Sequence, residues 1–147
     1  MKLQELRIGN IVKIDDEYLG QIEGKVTSLN ENAEVELLLS ANKGNIIHFR
    51  CSADDIFPIP ITEERLLKIG FKKDRNGYFE YSEYNDELSI RFSENYTFIE
   101  YANLHFNPED VTETNYCSSL EFPNTLHLHT LQNIWHLLTG KELEINL

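Results

Sequence analysis

The nearest thing to a ligand pair in this 147-residue chain is His127 with His129. On a strand, residues i and i+2 face the same way, so the two imidazoles could converge on one metal ion. A third ligand would come from His105, Glu109, Asp110 or Cys117, and such a site would serve a metal-dependent hydrolase. The competing and favoured reading is a half-exposed strand whose polar face carries histidines, with His129 helping to cap a helix that begins at Thr130. Cys117-Ser118-Ser119 offers a nucleophile, but no elbow motif or Gly-rich turn accompanies it. Neither a G-x-x-x-x-G-K-[ST] loop nor a G-x-G-x-x-G fingerprint is present, so nucleotide chemistry lacks its phosphate cradle. No catalytic residue and no cofactor follow from these patterns, which leans the reading away from an enzyme.

Binding residues are easier to find. Tyr78, Tyr81 and Tyr84 stand in a segment, 71–116, that holds 11 of the chain's 16 aromatic residues. A sheet of aromatics can stack single-stranded nucleic acid, but it does so beside a basic groove. This segment carries 10 acidic and 4 basic side chains, so cross-strand pairs in a core and a tyrosine-bearing protein-binding face are expected instead. Gln132 and Asn133 are the other recognition candidates. If structural, their amides must find partners in the neighbouring strand backbone; otherwise they are solvated positions opposite a buried stripe.

Charge and composition narrow the classes further. With 13 Lys+Arg against 25 Asp+Glu the formal net charge is −12, and both halves of the chain are acidic. Phosphate neutralisation by Lys and Arg supplies most nucleic-acid affinity, so this balance counts against direct nucleic-acid binding. No run of about 18 apolar residues and no apolar N-terminal stretch is present, which excludes a membrane helix and sets a cytoplasmic expectation. Cys51 and Cys117 lack C-x-x-C spacing, so a zinc ribbon is excluded and both read as free thiols.

The elements that must position these residues follow from turn chemistry and periodicity. Residues 1–61 read as five short strands, with a single helical turn at 53–56 before the last. Gly20 and Gly24 mark a bulge or strong curvature in the second strand, and Leu37-Leu38-Leu39 reads as buried on both faces. That is the pattern of an SH3-like small β-barrel. Thr62 caps a helix over 62–70 that Gly70 stops. A meander follows, with Asn76-Gly77 as a type I′ hairpin turn and strands at 87–92 and 96–101. Residues 102–124 read as a long loop with one short strand. A strand at 126–129 then leads to a helix over 130–139, whose Leu131, Ile134, Trp135 and Leu138 form one buried stripe.

Three stretches also carry a resemblance: Glu5-Leu6-Arg7-Ile8-Gly9-Asn10; Pro58-Ile59-Pro60-Ile61-Thr62 continuing through Leu66-Leu67-Lys68-Ile69-Gly70-Phe71; and His129-Thr130-Leu131-Gln132-Asn133 continuing to Leu138-Thr139-Gly140-Lys141-Glu142-Leu143. Together they resemble a family of small uncharacterised proteins of Bacteroides-type genomes and their prophages or other mobile elements. The resemblance implies this element order and a cytosolic bacterial or phage setting, and it brings no activity.

The sequence thus predicts an α+β protein. Residues 1–61 form the small barrel, and 62–147 form an antiparallel sheet covered by two helices, either as two units or as one compact domain. The expected function is a protein-binding or accessory module. A second possibility is an acidic nucleic-acid mimic that inhibits a host DNA-binding protein or nuclease.

Overall fold

The computed structural model describes residues 1–18, 20–30, 32–40, 46–83, 86–93, 96–105, 114–123 and 126–145. In chain order they form β1 (Ile11–Asp16), β2 (Gly20–Leu29), β3 (Glu34–Ser40), β4 (Ile46–Ser52), a 3₁₀ turn (Ala53–Asp55), β5 (Ile56–Phe57) and α1 (Glu63–Lys68). Then come β6 (Lys72–Lys73), β7 (Phe79–Glu83), β8 (Asp86–Phe92), β9 (Tyr96–His105), β10 (Thr114–Pro123) and α2 (Leu128–Thr139). The architecture is α+β, with two five-stranded antiparallel sheets. The chain divides into two compact units, Met1–Pro60 with His127–Leu147, and Ile61–Leu126.

In the first unit the sheet runs β4-β3-β2-β1-β5. Its core is made by alternate residues of neighbouring strands, Val12, Ile14, Val26, Val35, Leu37 and Leu39, closed by Ala53 and Ile56. Leu38 between them is only half-buried, so β3 is buried on one face and not on two. The irregularity in β2 falls between Val26 and Ser28. Gly24 serves close packing, since a Cβ there would lie 2.5 Å from Leu39 Cδ2. Arg7 does not enter β1, because Gly9 (φ 98°) turns the chain first and Asn10 Oδ1 accepts from the Arg7 N–H at 2.8 Å.

The C-terminal helix corrects two expectations. It begins at Leu128, and the expected strand at 126–129 is reduced to one bridge between Pro60 and His127. The Leu128 N–H bonds to the Ile59 carbonyl and so opens the helix without a side-chain cap. It also packs on β1 and belongs with the first unit, whereas the sequence reading gave it to the second. The hydrogen bonds of Gln132 and Asn133, described below, are the reason.

In the second unit the sheet runs β10-β9-β8-β7-β6. Thr62 caps α1 by accepting from the Arg65 N–H, and Glu64 pairs with Lys68 one turn on. α1 packs on β6 and β7, with Leu66 and Phe71 buried. Phe79, Leu88, Ile90 and Ile99 face the same side as cross-strand neighbours and are buried. The Asn76-Gly77 turn is not type I′, which needs positive φ at both residues; only Gly77 has it. Asp74 gathers the loop by accepting from the N–H groups of Asn76 and Tyr78, making a five-residue connection between Lys73 and Phe79. The loop expected over 102–124 contains β10, which pairs with β9 along its whole length.

Candidate functional site

Gln132 and Asn133 stand on the face of α2 turned to the first sheet. The Gln132 amide spans a backbone gap: Oε1 accepts from the Ile11 N–H at 2.8 Å and Nε2 donates to the Gly9 carbonyl at 3.2 Å. Asn133 Oδ1 accepts from Asn10 Nδ2 at 2.8 Å and Arg7 Nε at 3.2 Å, while its Nδ2 donates to the Glu5 carbonyl. Arg7 then grips Glu142 with both Nη atoms, at 2.6 and 3.0 Å, and holds that carboxyl below the usual carboxylate range. These side chains join the N-terminal turn, β1 and α2 in one network. Gln132 is 2% exposed and Leu137, on the outer face of the helix, is 84% exposed. Their amides are spent on the fold and leave no donor set for a ligand. Arg7, Asn10 and Glu142 lay inside the stretches that carried the resemblance, but nothing in their spacing marked them as one cluster.

His127 and His129 do share a concavity, of about 330 Å³, with Met1, Glu5, Pro58, Thr130 and Asn133. Their geometry is not that of a metal site. With α2 starting at Leu128, the strand that was to aim both rings one way is absent. The rings stack instead, with centroids 5.8 Å apart and planes within 14°. In-plane lone pairs on parallel rings do not meet at a point about 2 Å from each nitrogen. Among the described residues no group of three His, Cys, Asp or Glu side chains could hold a metal ion. Glu109, Asp110 and the side chains of His105 and Cys117 lie outside them. Burial and then the neighbouring His127 push His129 down to about 4, so it is neutral near pH 7. Its Nδ1 is buried without a hydrogen-bond partner. Cys51 is a free thiol, and burial raises it to about 11, which makes it a poor nucleophile.

Tyr78 and Tyr81 are not brought together. Tyr81 packs its ring on Phe71, with centroids 5.2 Å apart. Tyr78, just before β7, carries Arg91, whose guanidinium lies 5.3 Å from the ring centroid and bonds to its hydroxyl. Tyr84 lies outside the described residues.

What the second sheet does assemble is a row of carboxylates. On the face opposite Leu88 and Ile90, the register places Glu87 beside Ala102, Glu100 beside Ser119, and Glu121 beside Phe98. Glu87, Glu100 and Glu121 therefore step diagonally across β8, β9 and β10, with about 7–8 Å between neighbours. Glu80 sits beside Ser89, next to this row. Glu80, Glu100 and Glu121 are exposed and Glu87 half-exposed. None of the four is ion-paired among the described residues. Residues 79–123 contain 10 acidic side chains and one basic, Arg91, which stands on the same face beside Phe98, as Lys72 stands beside Glu80. The alternation of β8 and β9 could have placed Glu87 and Glu100 on one face; Glu121 could not be added without β10.

Set against known proteins, the chain matches no family, no curated protein and no solved structure.

Proposed function

We propose that this protein is a binding module that acts through another protein, presenting the carboxylate face of its second sheet to a basic surface. The observation that carries this reading is the unpaired diagonal Glu87–Glu100–Glu121, set on a sheet whose opposite face buries Phe79, Leu88, Ile90 and Ile99. Such a face speeds encounter with a positive partner and rejects negative ones. The strand order of the first sheet, with its 3₁₀ turn before β5, supports reading that unit as an SH3-like small barrel. The resemblance to proteins of mobile elements adds a bacterial or phage accessory role. No described helix is long and apolar enough to cross a membrane.

The diagonal also favours a narrower version, in which the partner is a nuclease or DNA-binding protein and the carboxylates stand in for phosphates. Their step is close to that between successive phosphates of one strand, and they lie on a line.

The test is affinity capture from a bacterial host extract with the intact protein and with an E87Q/E100Q/E121Q variant. A reproducible partner should be lost by about tenfold in the variant and by raising salt to about 0.3 M. No partner, or one held equally by both proteins, refutes the reading. For the narrower version, duplex DNA must compete for the captured partner; a partner indifferent to DNA removes it.

A further inference from the structure

Each sheet ends in two edge strands, and the four edges differ. β5 is two residues long and runs into Pro58; β6 is two residues, Lys72 and Lys73, both exposed. β4 has seven residues and carries the exposed side chains of His48 and Arg50. Short length, prolines and positive charge are the usual devices that keep an edge from pairing. β10 has none of them along its length. It runs ten residues, roughly 30 Å, in unbroken register with β9, has no bulge, and pairs with no other strand among the described residues. Its sequence holds one charge, Glu121, and its one proline, Pro123, stands at the end. Every second residue of such an edge points its N–H and C=O outward, away from β9. Leu120, on the core side of the sheet, is 42% exposed although its partner Ile99 is 1% exposed.

We propose that β10 accepts an extended, basic segment of the partner as a sixth strand; this rests on the reading of the carboxylate face as the docking surface. The two faces of the edge specify the segment. On one side it meets Ser119 and Glu121, with Glu100 one strand further in. On the other it meets Leu120 and Phe122. A strand with Lys or Arg at alternate positions and apolar β-branched residues between them satisfies both. The main chain supplies affinity and the alternation supplies specificity. A second copy of this chain does not fit, because it brings another Glu121 and another net charge of −12 to the same edge.

The experiment uses the intact protein and a labelled ten-residue peptide of alternating Lys and Val, read by fluorescence anisotropy at low salt. Binding should fall at least tenfold when alternate peptide nitrogens are methylated on the edge-facing side, and also in the Glu121→Lys protein. Amide hydrogen exchange in β10 should slow on peptide addition. Equal binding of methylated and unmethylated peptides overturns strand addition but leaves the carboxylate face as a docking surface. No peptide binding, or a dimer in sedimentation that Glu121→Lys or protection of the β10 amides traces to this edge, likewise overturns strand addition. The capture experiment with the triple glutamine variant decides the face itself independently.

Discussion

The two units solve the same problem, a five-stranded antiparallel sheet with a helix beside it, by different means. In the second, α1 and Phe71 lay apolar groups on the sheet, and the polar side chains of Glu80, Glu87, Glu100 and Glu121 are left outside. In the first, the helix turns Gln132 and Asn133 inward and fastens itself by hydrogen bonds to the Gly9 carbonyl, the Ile11 N–H and the side chains of Arg7 and Asn10. The lesson is that polar pattern on a helix does not by itself say which face meets water. An amide that reaches two backbone groups can be buried, because its desolvation is repaid by the bonds it makes.

The contrast can be broken apart experimentally, since the one tryptophan, Trp135, lies in the first unit and reports its unfolding by fluorescence. Trp135 is fully buried, and Trp135→Phe should keep the fold while Trp135→Ala costs that unit about 3–5 kcal/mol in a urea titration followed by far-UV circular dichroism. Acid comes next. His129 has a folded pKa of about 4 against an ordinary 6.5, so the unfolded chain binds the proton first. Stability from this group is complete above about pH 6.5 and is lost as pH falls towards 4, on the order of 2–3 kcal/mol. The tryptophan signal should follow that loss, and His129→Leu should flatten it; an unchanged slope in the variant would remove His129 as the cause.

Gln132→Ala leaves the Ile11 N–H and Gly9 carbonyl without partners and should cost about 1–3 kcal/mol, visible in the tryptophan transition. If Gln132→Ala is silent there, the clamp is decoration and the two units are held alike. The smallest effect belongs to the second unit. Thr62→Ala removes the cap on α1 and should cost about 1 kcal/mol, read as faster amide exchange in α1 with the tryptophan transition unmoved.

Much of this was legible in the residues. Thr62, Glu64, Lys68 and Gly70 mark α1 because each acts on its own backbone within a turn, and the alternation at 87–92 marks β8 for the same local reason. The start of α2 was misplaced because its opening N–H is satisfied by Ile59, a partner some seventy positions away in sequence, and not by a capping side chain. Asn76-Gly77 misled in the same way, since the Asp74 carboxylate outcompetes the two-residue turn. β10 was under-read, as a loop holding one short strand, because residues 114–119 show no clear apolar alternation and pairing with β9 is what makes ten residues a strand. The candidate site fared worse than the fold. The histidines and tyrosines drew notice by residue type, whereas the carboxylate diagonal exists only once three strands are in register.

The bridge from Pro60 to His127 and the bond from the Leu128 N–H to Ile59 mean that the first unit is interrupted by the second and resumed after it. On the ribosome the five strands of the first sheet therefore emerge well before the helix that supplies Gln132 and Asn133. The whole of the second unit, Ile61–Leu126, is made in between. The earlier part must wait, its Ile11 amide and Gly9 carbonyl open to water, until the last stretch is synthesised and returns to it.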